Sequence, residues 1–399
     1  MWVELRRKRD LAVTSGPYLG EPRRAPRGVI KGNSIETHSV TASAPTQRFS
    51  GKSPFYADLK RRVEAYFETT GRSPHGGFRM WLKTATLFTW LIGSYAVLLF
   101  AHVSSWQAVL LVASIGLAMA GIGFSVQHDA NHGAYSSNAR VNRIMSVTLD
   151  LLGASSYLWR LKHNVMHHTY TNVSGLDDDL ESGSPHLRLA PWQPRRRFHR
   201  LQHLYVWFLY AVFPLKWWFV DDVLELTSGR VGGRPFAPPR GLPLARAVAF
   251  KTAFVTWAFV VPALLHPTWA LIPLWVFGSA TLGIVLAGVF QLAHCVGEAD
   301  FCQVDPARPT KPDWAEHQVS TTVDFARGNR LLSWYRGGLN FQVEHHLFPR
   351  ICHVHYRSLA PIVEETCRAH SVRYRAEPTF RSALAANWRW LREMGAAAA

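Results

Sequence analysis

Two long stretches without a charged side chain constrain the fold of this chain more than any other feature. They run from Thr84 to Gln127 and from Thr252 to Gly297, and neither contains Lys, Arg, Asp or Glu. One helix needs roughly 20 apolar residues to cross the hydrocarbon core of a bilayer, so each stretch is long enough for two crossings. Both stretches are therefore predicted to form helical hairpins in a membrane.

Short polar links interrupt the two stretches and predict where the hairpins turn. The first link lies near His102 to Trp106, and the second lies near His266 and Pro267. Neither link carries Lys or Arg, so all 44 basic residues lie outside the hairpins. The positive-inside rule then places both termini and the middle of the chain in the cytoplasm.

One further apolar run, from His203 to Val220, is interpreted as a helix at the membrane interface. It is rich in Trp and Tyr and contains Pro214 and Lys216, a composition typical of headgroup depth. A crossing there would also place the histidine clusters described below on opposite sides of the membrane. The predicted fold class is an all-α integral membrane protein, with four transmembrane helices as two hairpins and a cytosolic helical cap.

Three regions are predicted along the chain. Residues 1–50 are rich in Arg, Ser, Pro and Gly and contain no apolar signal core, which indicates a disordered basic tail. Apolar residues spaced at three and four from Pro54 to Phe67 predict an amphipathic helix. The membrane domain spans 51–375, with hairpins at about 84–127 and 252–297, a cytosolic cap at 128–251 and 298–375, and a C-terminal tail at 376–399.

The net charge of +17 does not indicate nucleic-acid binding. No compact basic motif with interleaved stacking aromatics occurs, and membrane orientation accounts for the basic residues. A basic face could also dock an acidic redox partner or anionic lipid headgroups. A disulfide framework is not expected, because the four cysteines lack CxxC spacing and lie at or beyond the cytoplasmic end of the second hairpin, where thiols stay reduced. They are Cys295, Cys302, Cys352 and Cys367.

Histidines carry the chemistry, and eight of the 19 lie in three clusters or at the end of the fourth crossing. The cluster in QHDANHGAYS spaces two histidines so that one helix face presents both. The cluster in HNVMHHTYTN repeats that spacing and adds an adjacent histidine about a quarter turn away, so neighbours can serve different metals. The third cluster lies in NFQVEHHLFP. The candidate ligands are His128, His132, His163, His167, His168, His294, His345 and His346.

Polar residues near these clusters are candidates for supporting roles. Gln342 precedes His345 by three residues, and its amide oxygen could be a weak ligand or orient a bound water. The candidates to accept the free ring N–H of a ligand are Asp129, Asn131, Asn164, Asn172, Asp177, Asp178 and Asp179. The histidines interpreted as surface or hydrogen-bonded residues are His38, His75, His102, His266, His353 and His355, with His317 left open.

The number and type of candidate ligands indicate two metal ions. A single HxxxH pair arises by chance, but eight histidines on one face of the membrane indicate function. Carboxylates are too few for a bridged cluster, and imidazole suits iron, zinc or copper. A catalytic zinc takes about three protein ligands, whereas eight histidines fit two metals with about four each. Two iron ions are therefore the simplest interpretation.

The order and form of HDANH, HNVMHH and QVEHH resemble the membrane fatty acid desaturases. The resemblance covers roughly residues 54–375 and includes GLDDD and TTVDFARGNRLLSWYRGGLNFQVEHHLFP. Gln342 in place of the first histidine of the third box is similar to the front-end type, the delta-5, delta-6 and sphingolipid desaturases. The surrounding residues look closest to bacterial linoleoyl-CoA or acyl-lipid desaturases, which implies a bacterial inner membrane and a cytoplasmic active site.

The resemblance implies an enzyme that uses two iron ions and O2 to place a cis double bond in an acyl-CoA or acyl-lipid. It implies all eight histidines as metal ligands and Gln342 as a cofactor-binding residue. Neither end of the chain resembles the cytochrome b5 domain fused to many front-end enzymes. A separate electron donor is therefore expected, a ferredoxin or cytochrome b5 with its NAD(P)H reductase. The alternatives are a hydroxylase or ketolase of the same superfamily, a zinc-dependent membrane hydrolase and a non-catalytic lipid-binding protein.

Overall fold

The protein, seen in a computed structural model, is almost entirely helical. The structure describes residues 49–50, 53–181, 183–303 and 313–396. The helices are α1 (Pro54–Thr70), α2 (Gly77–Phe100), α3 (Ser105–His132), α4 (Ala139–Ser146), α5 (Thr148–Leu151), α6 (Ser156–Trp159 continued by Arg160–His167 and His168–Tyr170), α7 (Asp178–Glu181), α8 (Gln202–Lys216 continued by Trp217–Asp221 and Asp222–Ser228), α9 (Leu242–Leu265), α10 (Thr268–His294), α11 (Trp314–Thr321), α12 (Arg330–Tyr335), α13 (Gln342–Leu347), α14 (Tyr356–Ala369) and α15 (Phe380–Gly395).

Short 3-10 turns and strands complete the described chain. The turns precede α8 and α14, and the strands form two small pairs. The turns are Arg197–Leu201 and His353–His355, and the strands are β1 (Arg230–Val231), antiparallel to β2 (Arg234–Pro235), and β3 (Asp324–Phe325), parallel to β4 (Ala376–Glu377).

Four helices in the described residues, α2, α3, α9 and α10, are long and apolar enough to cross a membrane. The breaks between α2 and α3 and between α9 and α10 fall at the two polar links in the sequence. Large apolar side chains such as Phe100, Leu264 and Trp269 are more than 70% exposed. Apolar surface of that extent is typical of contact with lipid.

The apolar helices pack through close contacts and a few polar ones. The Trp90 indole N–H donates to Ser114 between α2 and α3, and the Trp275 indole N–H donates to the Ala258 carbonyl between α10 and α9. A Cβ atom at Gly283 would lie 1.9 Å from the carbonyl oxygen of Tyr210. Only glycine therefore allows α8 and α10 to approach this closely.

Two helices begin earlier than the charge-free stretches predict. The stretches start at Thr84 and Thr252, but α2 and α9 each include one lysine before that point. The Lys83 ammonium lies 2.9 Å from Nε2 of His353, and Lys251 donates to the Asp222 carboxylate at 3.2 Å. Both lysines have polar partners inside the protein, so neither ends its helix.

The run from His203 to Val220 lies within α8, which continues to Ser228. This helix is not among the four that could cross a membrane in the described chain. It packs along α10, where the Ser279 hydroxyl donates to the Ala211 carbonyl. Its position beside α10 brings it over the candidate site described below.

The structure describes little of one predicted tail and most of the other. Residues 1–48 of the predicted N-terminal tail lie outside the described residues. In the predicted C-terminal tail at 376–399, the described residues form β4 and the packed helix α15. This helix is amphipathic and buries Trp390, Leu391 and Met394 against the start of α8, which explains why it folds.

The amphipathic helix predicted near the N-terminus is present as α1. The Ser53 hydroxyl accepts a hydrogen bond from the Tyr56 amide and caps its first turn. Its apolar face packs against α14, with Leu59 and Val63 fully buried. This contact places α1 on the same part of the molecule as the third histidine cluster.

Candidate metal centre

The first pair of histidines ends helix α3. His128 and His132 occupy its last turn, and both are buried. Gly133 follows with a φ of 78°, a left-handed conformation that ends the helix at little cost for glycine. The carbonyl of Asp129 then accepts from the amides of Ala134 and Tyr135. The turn that fixes both imidazoles is therefore set by local sequence.

The second cluster lies on α6, whose middle part is wider than a regular α-helix. From Arg160 to His167 the backbone hydrogen bonds span five residues. Such widened turns are often found at functional sites because they change the direction of the side chains. As a result, His163 points toward His128 and His132, whereas His167 points toward His294.

The third cluster lies on α13, which a buried polar network fixes in place. The Asp324 carboxylate accepts from the Val343 amide at 3.0 Å, and the Tyr374 hydroxyl donates to Asp324 and Glu344. Burial and the nearby Asp324 raise the pKa of Glu344 well above its ordinary value. The network orients the helix so that His345 and His346 face the other histidines.

The histidines converge in two main sets. In each set the ring nitrogens lie within 4.8 Å of one another, and every member is buried. We call them the four-histidine group (His128, His132, His163, His345) and the three-histidine group (His167, His294, His346).

His168 lies between the two groups. Its Nε2 is 3.2 Å from Nε2 of His163, and its ring stacks on that of His346 at 4.4 Å between centroids. It also shares a smaller set with His345 and His346. All eight candidate ligands thus meet in one site, although their sequence positions span more than half of the chain.

The free ring nitrogens fit a metal site. Buried polar atoms are normally hydrogen-bonded, and each exception needs a cause. Here the unpartnered atoms face other imidazoles, and one metal ion in each group would satisfy them. The buried Nε2 atoms without a hydrogen-bond partner belong to His128, His132, His167, His294, His345 and His346.

The protonation state of four of the candidate ligands also suits metal binding. Burial, and then repulsion from neighbouring imidazoles, lower the pKa of His163 and His168 well below the ordinary value. The same causes act on His345 and His346. These side chains are therefore neutral at pH 7, and the neutral imidazole is the form that binds metals.

The three-histidine group has polar partners on its outer side. Nδ1 of His167 lies 3.2 Å from both carboxylate oxygens of Asp177. Burial alone would lower the pKa of His167, but Asp177 and then Asp179 raise it to about 9. Nδ1 of His346 lies 2.8 Å from Oε1 of Gln318, and that of His294 lies 3.4 Å from the Thr321 carbonyl.

The supporting residues agree only in part with those expected from the sequence. Asp177 does accept from a candidate ligand, but the nearest carboxylate oxygen of Asp129 is 3.8 Å from Nδ1 of His128. Its other oxygen accepts from His353 and Cys352 instead. The three asparagines bond other groups instead. Asn131 bonds Gln127 and Arg160, and Asn164 donates to the Asn131 carbonyl. Asn172 donates to the carbonyls of His294 and Asp300.

Several contributing residues were missed by the sequence interpretation. Gln318, Thr321 and Tyr356 contact candidate ligands, yet no motif marks them. The histidine left open, His317, bonds the Thr171 carbonyl at 2.9 Å and is a satisfied buried residue. His353 lies in a buried set with Asp129 and Cys352, where the Lys83 ammonium is already its partner.

A narrow apolar cavity adjoins the four-histidine group. His128 and Gln127 line it near the metal centre, and Trp159 separates it from His132 and His163. The other lining residues come from α3, α5, α8, α10 and the segments that follow α5 and α12, and they are mostly apolar: Met119, Gly123, Phe124, Leu149, Leu152, Ala154, Pro214, Trp217, Trp218, Leu282, Leu286, Phe290 and Leu339. A chain of methylene groups matches such a lining.

Comparison with known proteins identifies the family. A family model described as fatty acid desaturase matches residues 104–378. The sn-1 linoleoyl-lipid 6-desaturase of Synechocystis sp. is 38% identical over 355 residues, which are 88% of this chain and 98% of that protein. The enzyme of the same description from Arthrospira platensis is 37% identical over 357 residues, 89% and 96% of the two chains.

More distant relatives share the same class of activity in their names. The acyl-lipid (8-3)-desaturase of Physcomitrium patens is 37% identical over 346 residues, 86% of this chain and 72% of that protein. The chain belongs to the fatty acid desaturase family, and it is an oxidoreductase. The resemblance seen in the histidine boxes is therefore confirmed.

Proposed function

We propose that this protein is an oxygen-dependent, front-end acyl-lipid desaturase that places a cis double bond in a linoleoyl chain. One observation carries the proposal: eight histidines from separate segments meet in a buried site beside a narrow apolar cavity. The relatives from Synechocystis and Arthrospira are named as 6-desaturases of linoleoyl lipids, which supports that acyl class and that position.

Two iron ions are the proposed cofactors, and all eight histidines are the proposed ligands. The four-histidine group would bind one ion and the three-histidine group the other, with His168 between them. Gln342 lies next to His294, so it is suited to support the second ion directly or through a water. When bound, the iron pair would supply the strong oxidant that unactivated C–H bonds require.

The reaction balances with electrons from outside the chain. Dioxygen accepts two hydrogen atoms from adjacent methylenes, together with two external electrons and two protons, and yields two waters and one cis double bond. The protein's own residues position the acyl chain and exclude water. Trp159 serves both purposes, because its ring stacks on His163 at 4.3 Å and forms a wall of the apolar cavity.

The acyl chain is proposed to lie along α3. The cavity lining extends from His128 to Met119, nine residues apart, or about 13 Å along a helix. The cavity ends between Met119 on α3 and Leu282 on α10, inside the apolar part of the molecule. Carbons beyond the new double bond would occupy this end, and the carboxyl end would point toward the interface.

A polar pocket supports a lipid as the acyl carrier. It has a volume of about 320 Å³ and includes Arg143, Arg160 and Arg246. An intervening cavity shares Asp150 and Ser155 with this pocket, and its lining also includes Ala154 of the apolar cavity. A glycerolipid substrate could therefore place its polar headgroup among the arginines and extend its acyl chain toward the histidines.

A separate donor, a ferredoxin or cytochrome b5 with its NAD(P)H reductase, is proposed to deliver the electrons. The proposed location is a bacterial inner membrane, with the metal centre on the cytoplasmic side. The net charge of +17, most of which lies outside the apolar helices, supports this orientation. It also suits contact with an acidic redox protein.

The test is analysis of fatty acids by gas chromatography and mass spectrometry from a host that expresses the chain and receives linoleate. We expect a new oxygen-dependent triene with a double bond at carbon 6, first in glycerolipids and later in acyl-CoA. His167→Ala should give no product, and His102→Ala, in the exposed link between α2 and α3, should match the wild type. A hydroxy acid as the product would contradict desaturation. Appearance of the triene in acyl-CoA before glycerolipids would contradict a lipid carrier.

A further inference from the structure

A second polar pocket lies between the start of α8 and the C-terminal helix α15, and none of the eight candidate ligands lines it. It is open, has a volume of about 320 Å³, and is lined by Arg200, His203, Trp388, Arg392 and Ala396. The lining contains two arginines and no carboxylate, as far as the described residues extend. The pocket therefore carries an excess of positive charge.

Hydrogen bonds from side chains to backbone carbonyls bring the two arginines together. The Gln202 side-chain amide donates to the Leu391 carbonyl at 2.8 Å, and the Arg188 guanidinium donates to the Met394 carbonyl at 2.7 Å. Arg195 binds the Gly395 carbonyl in the same way. These bonds fix the last turn of α15 against the start of α8. These hydrogen bonds therefore hold Arg200 and Arg392 in one pocket without neutralising their positive charges.

His203 adds an unsatisfied polar atom to this pocket. Its ring meets the Trp388 ring edge to face, with centroids 4.8 Å apart, and its buried Nδ1 has no hydrogen-bond partner. Partial burial and then the Arg392 charge lower the pKa of His203, so the ring is neutral at pH 7. A neutral imidazole can donate one hydrogen bond to a ligand.

The pocket borders a surface suited to lipid. Phe198, Leu201, Leu204 and Phe208 are exposed, and their spacing of three, three and four places them on one helical face. An apolar face flanked by arginines is the pattern of a helix at the membrane interface. The sequence interpretation of this segment leads to the same depth.

We propose that this pocket binds the phosphate of an anionic membrane phospholipid. Arg200 and Arg392 would contact the phosphate oxygens, with a hydrogen bond from His203, while the acyl tails follow the exposed apolar face. Guanidinium groups match phosphate geometry and charge. The bound lipid acts as a structural ligand, and the site is distinct from the substrate pocket near Arg160.

The proposed lipid would also affect the metal centre. The Asn387 side chain on α15 donates to the Cys295 carbonyl at 2.7 Å, and Cys295 directly follows the candidate ligand His294. A phospholipid that anchors α15 therefore stabilises the end of α10. This coupling rests on the proposed role of His294, whereas lipid binding itself does not.

The experiment compares the purified full chain in nanodiscs of phosphatidylcholine with nanodiscs that also contain phosphatidylglycerol. The measurements are the thermal unfolding midpoint and the phospholipid retained in native mass spectrometry. Phosphatidylglycerol should raise the midpoint of the wild type by roughly 2–4 °C, since basic residues at a membrane surface each contribute modestly. It should also give one retained anionic lipid per chain.

The paired variant Arg200→Gln/Arg392→Gln should lose both the shift and the retained lipid. Arg389→Gln is the matched control, because this exposed arginine lies on the same helix but outside the pocket lining. Arg200→Lys/Arg392→Lys keeps the charge and should keep most of the shift, which covers the case in which the Gln pair folds poorly. An equal shift in the Gln pair, or an equal shift from inorganic phosphate alone, would overturn the proposal.

Discussion

The four-histidine group and the three-histidine group differ in what surrounds them. In the first group, Trp159 stacks on His163 and meets His128 and His132 edge to face, and this side opens onto the apolar cavity. The second group faces polar partners, with a carboxylate on His167 and an amide on His346. In the proposed function, one side of the centre faces the substrate and the other strengthens metal binding.

This difference has a simple electrostatic basis. A carboxylate that accepts the outer N–H of an imidazole makes that imidazole a stronger ligand. Asp177 supplies such a charge, and it is buried, where charges interact strongly. On the other side, the Trp159 ring shapes the apolar cavity and excludes water from it. Mutations on the two sides should therefore change different measurable quantities.

The largest effect is expected from loss of one ligand in either group. His128→Ala and His346→Ala should each lower product by at least about 100-fold, because removing a direct ligand exceeds the effect of changing its supporting residue. Membrane insertion should be unchanged, since the apolar helices do not depend on the site. Product analysis and metal content measure the outcome. Activity retained by either variant would show that one group suffices.

Asp177→Asn should have the next largest effect. It keeps a hydrogen-bonding group next to His167 but removes the negative charge, so metal affinity should fall by about 10- to 100-fold. Competition with a chelator measures the affinity. Tyr356→Phe is the control on the other side, because it removes only a neutral hydrogen bond at 3.2 Å from His345. Equal losses in both variants would argue against an electrostatic role for Asp177.

Trp159→Phe should reduce product without releasing metal. The smaller ring weakens stacking on His163, and aromatic pairs contribute about 0.5–1.5 kcal/mol, which corresponds to about two- to tenfold. The measurements are product yield and metal per protein. Metal loss as large as that of Asp177→Asn would mean that the aromatic side also controls affinity.

Gln342→His should have the smallest effect. The imidazole replaces one possible supporting group with another beside His294, so product should change by no more than about twofold, the equivalent of one weak hydrogen bond. Metal content should be retained. Complete loss of iron in this variant would contradict the supporting role of Gln342.

The apolar helices could be predicted from sequence, apart from their first turns. The length of each charge-free stretch and the polar link that interrupts it are local properties of the sequence. They predict the positions of α3 and α10. The early starts of α2 and α9 depend on partners for Lys83 and Lys251 that are distant in sequence. A single sequence contains no sign of such pairings. The same holds for α15, whose apolar face needs α8 to pack on.

The eight candidate ligands could be recognised from the sequence, but their division into two groups could not. Spacing identifies His163 and His167 as one helical face, whereas the widened turn from Arg160 to His167 directs them to different groups. The partners of the outer nitrogens were largely hidden as well. Gln318 meets Thr171 and His346 only after the chain has folded, because these residues are far apart in sequence.

The ligand-bearing ends of α3 and α10 are continuous with helices that could span the membrane. At 28 and 27 residues these helices are about 40 Å long, against a hydrocarbon core of about 30 Å, so the centre stays at a fixed depth beside the bilayer. The proposed lipid substrate would then reach the centre by two-dimensional diffusion in the bilayer. The rate should follow the mole fraction of substrate in the bilayer, and dilution with inert lipid should slow the enzyme even when the total amount of substrate is constant.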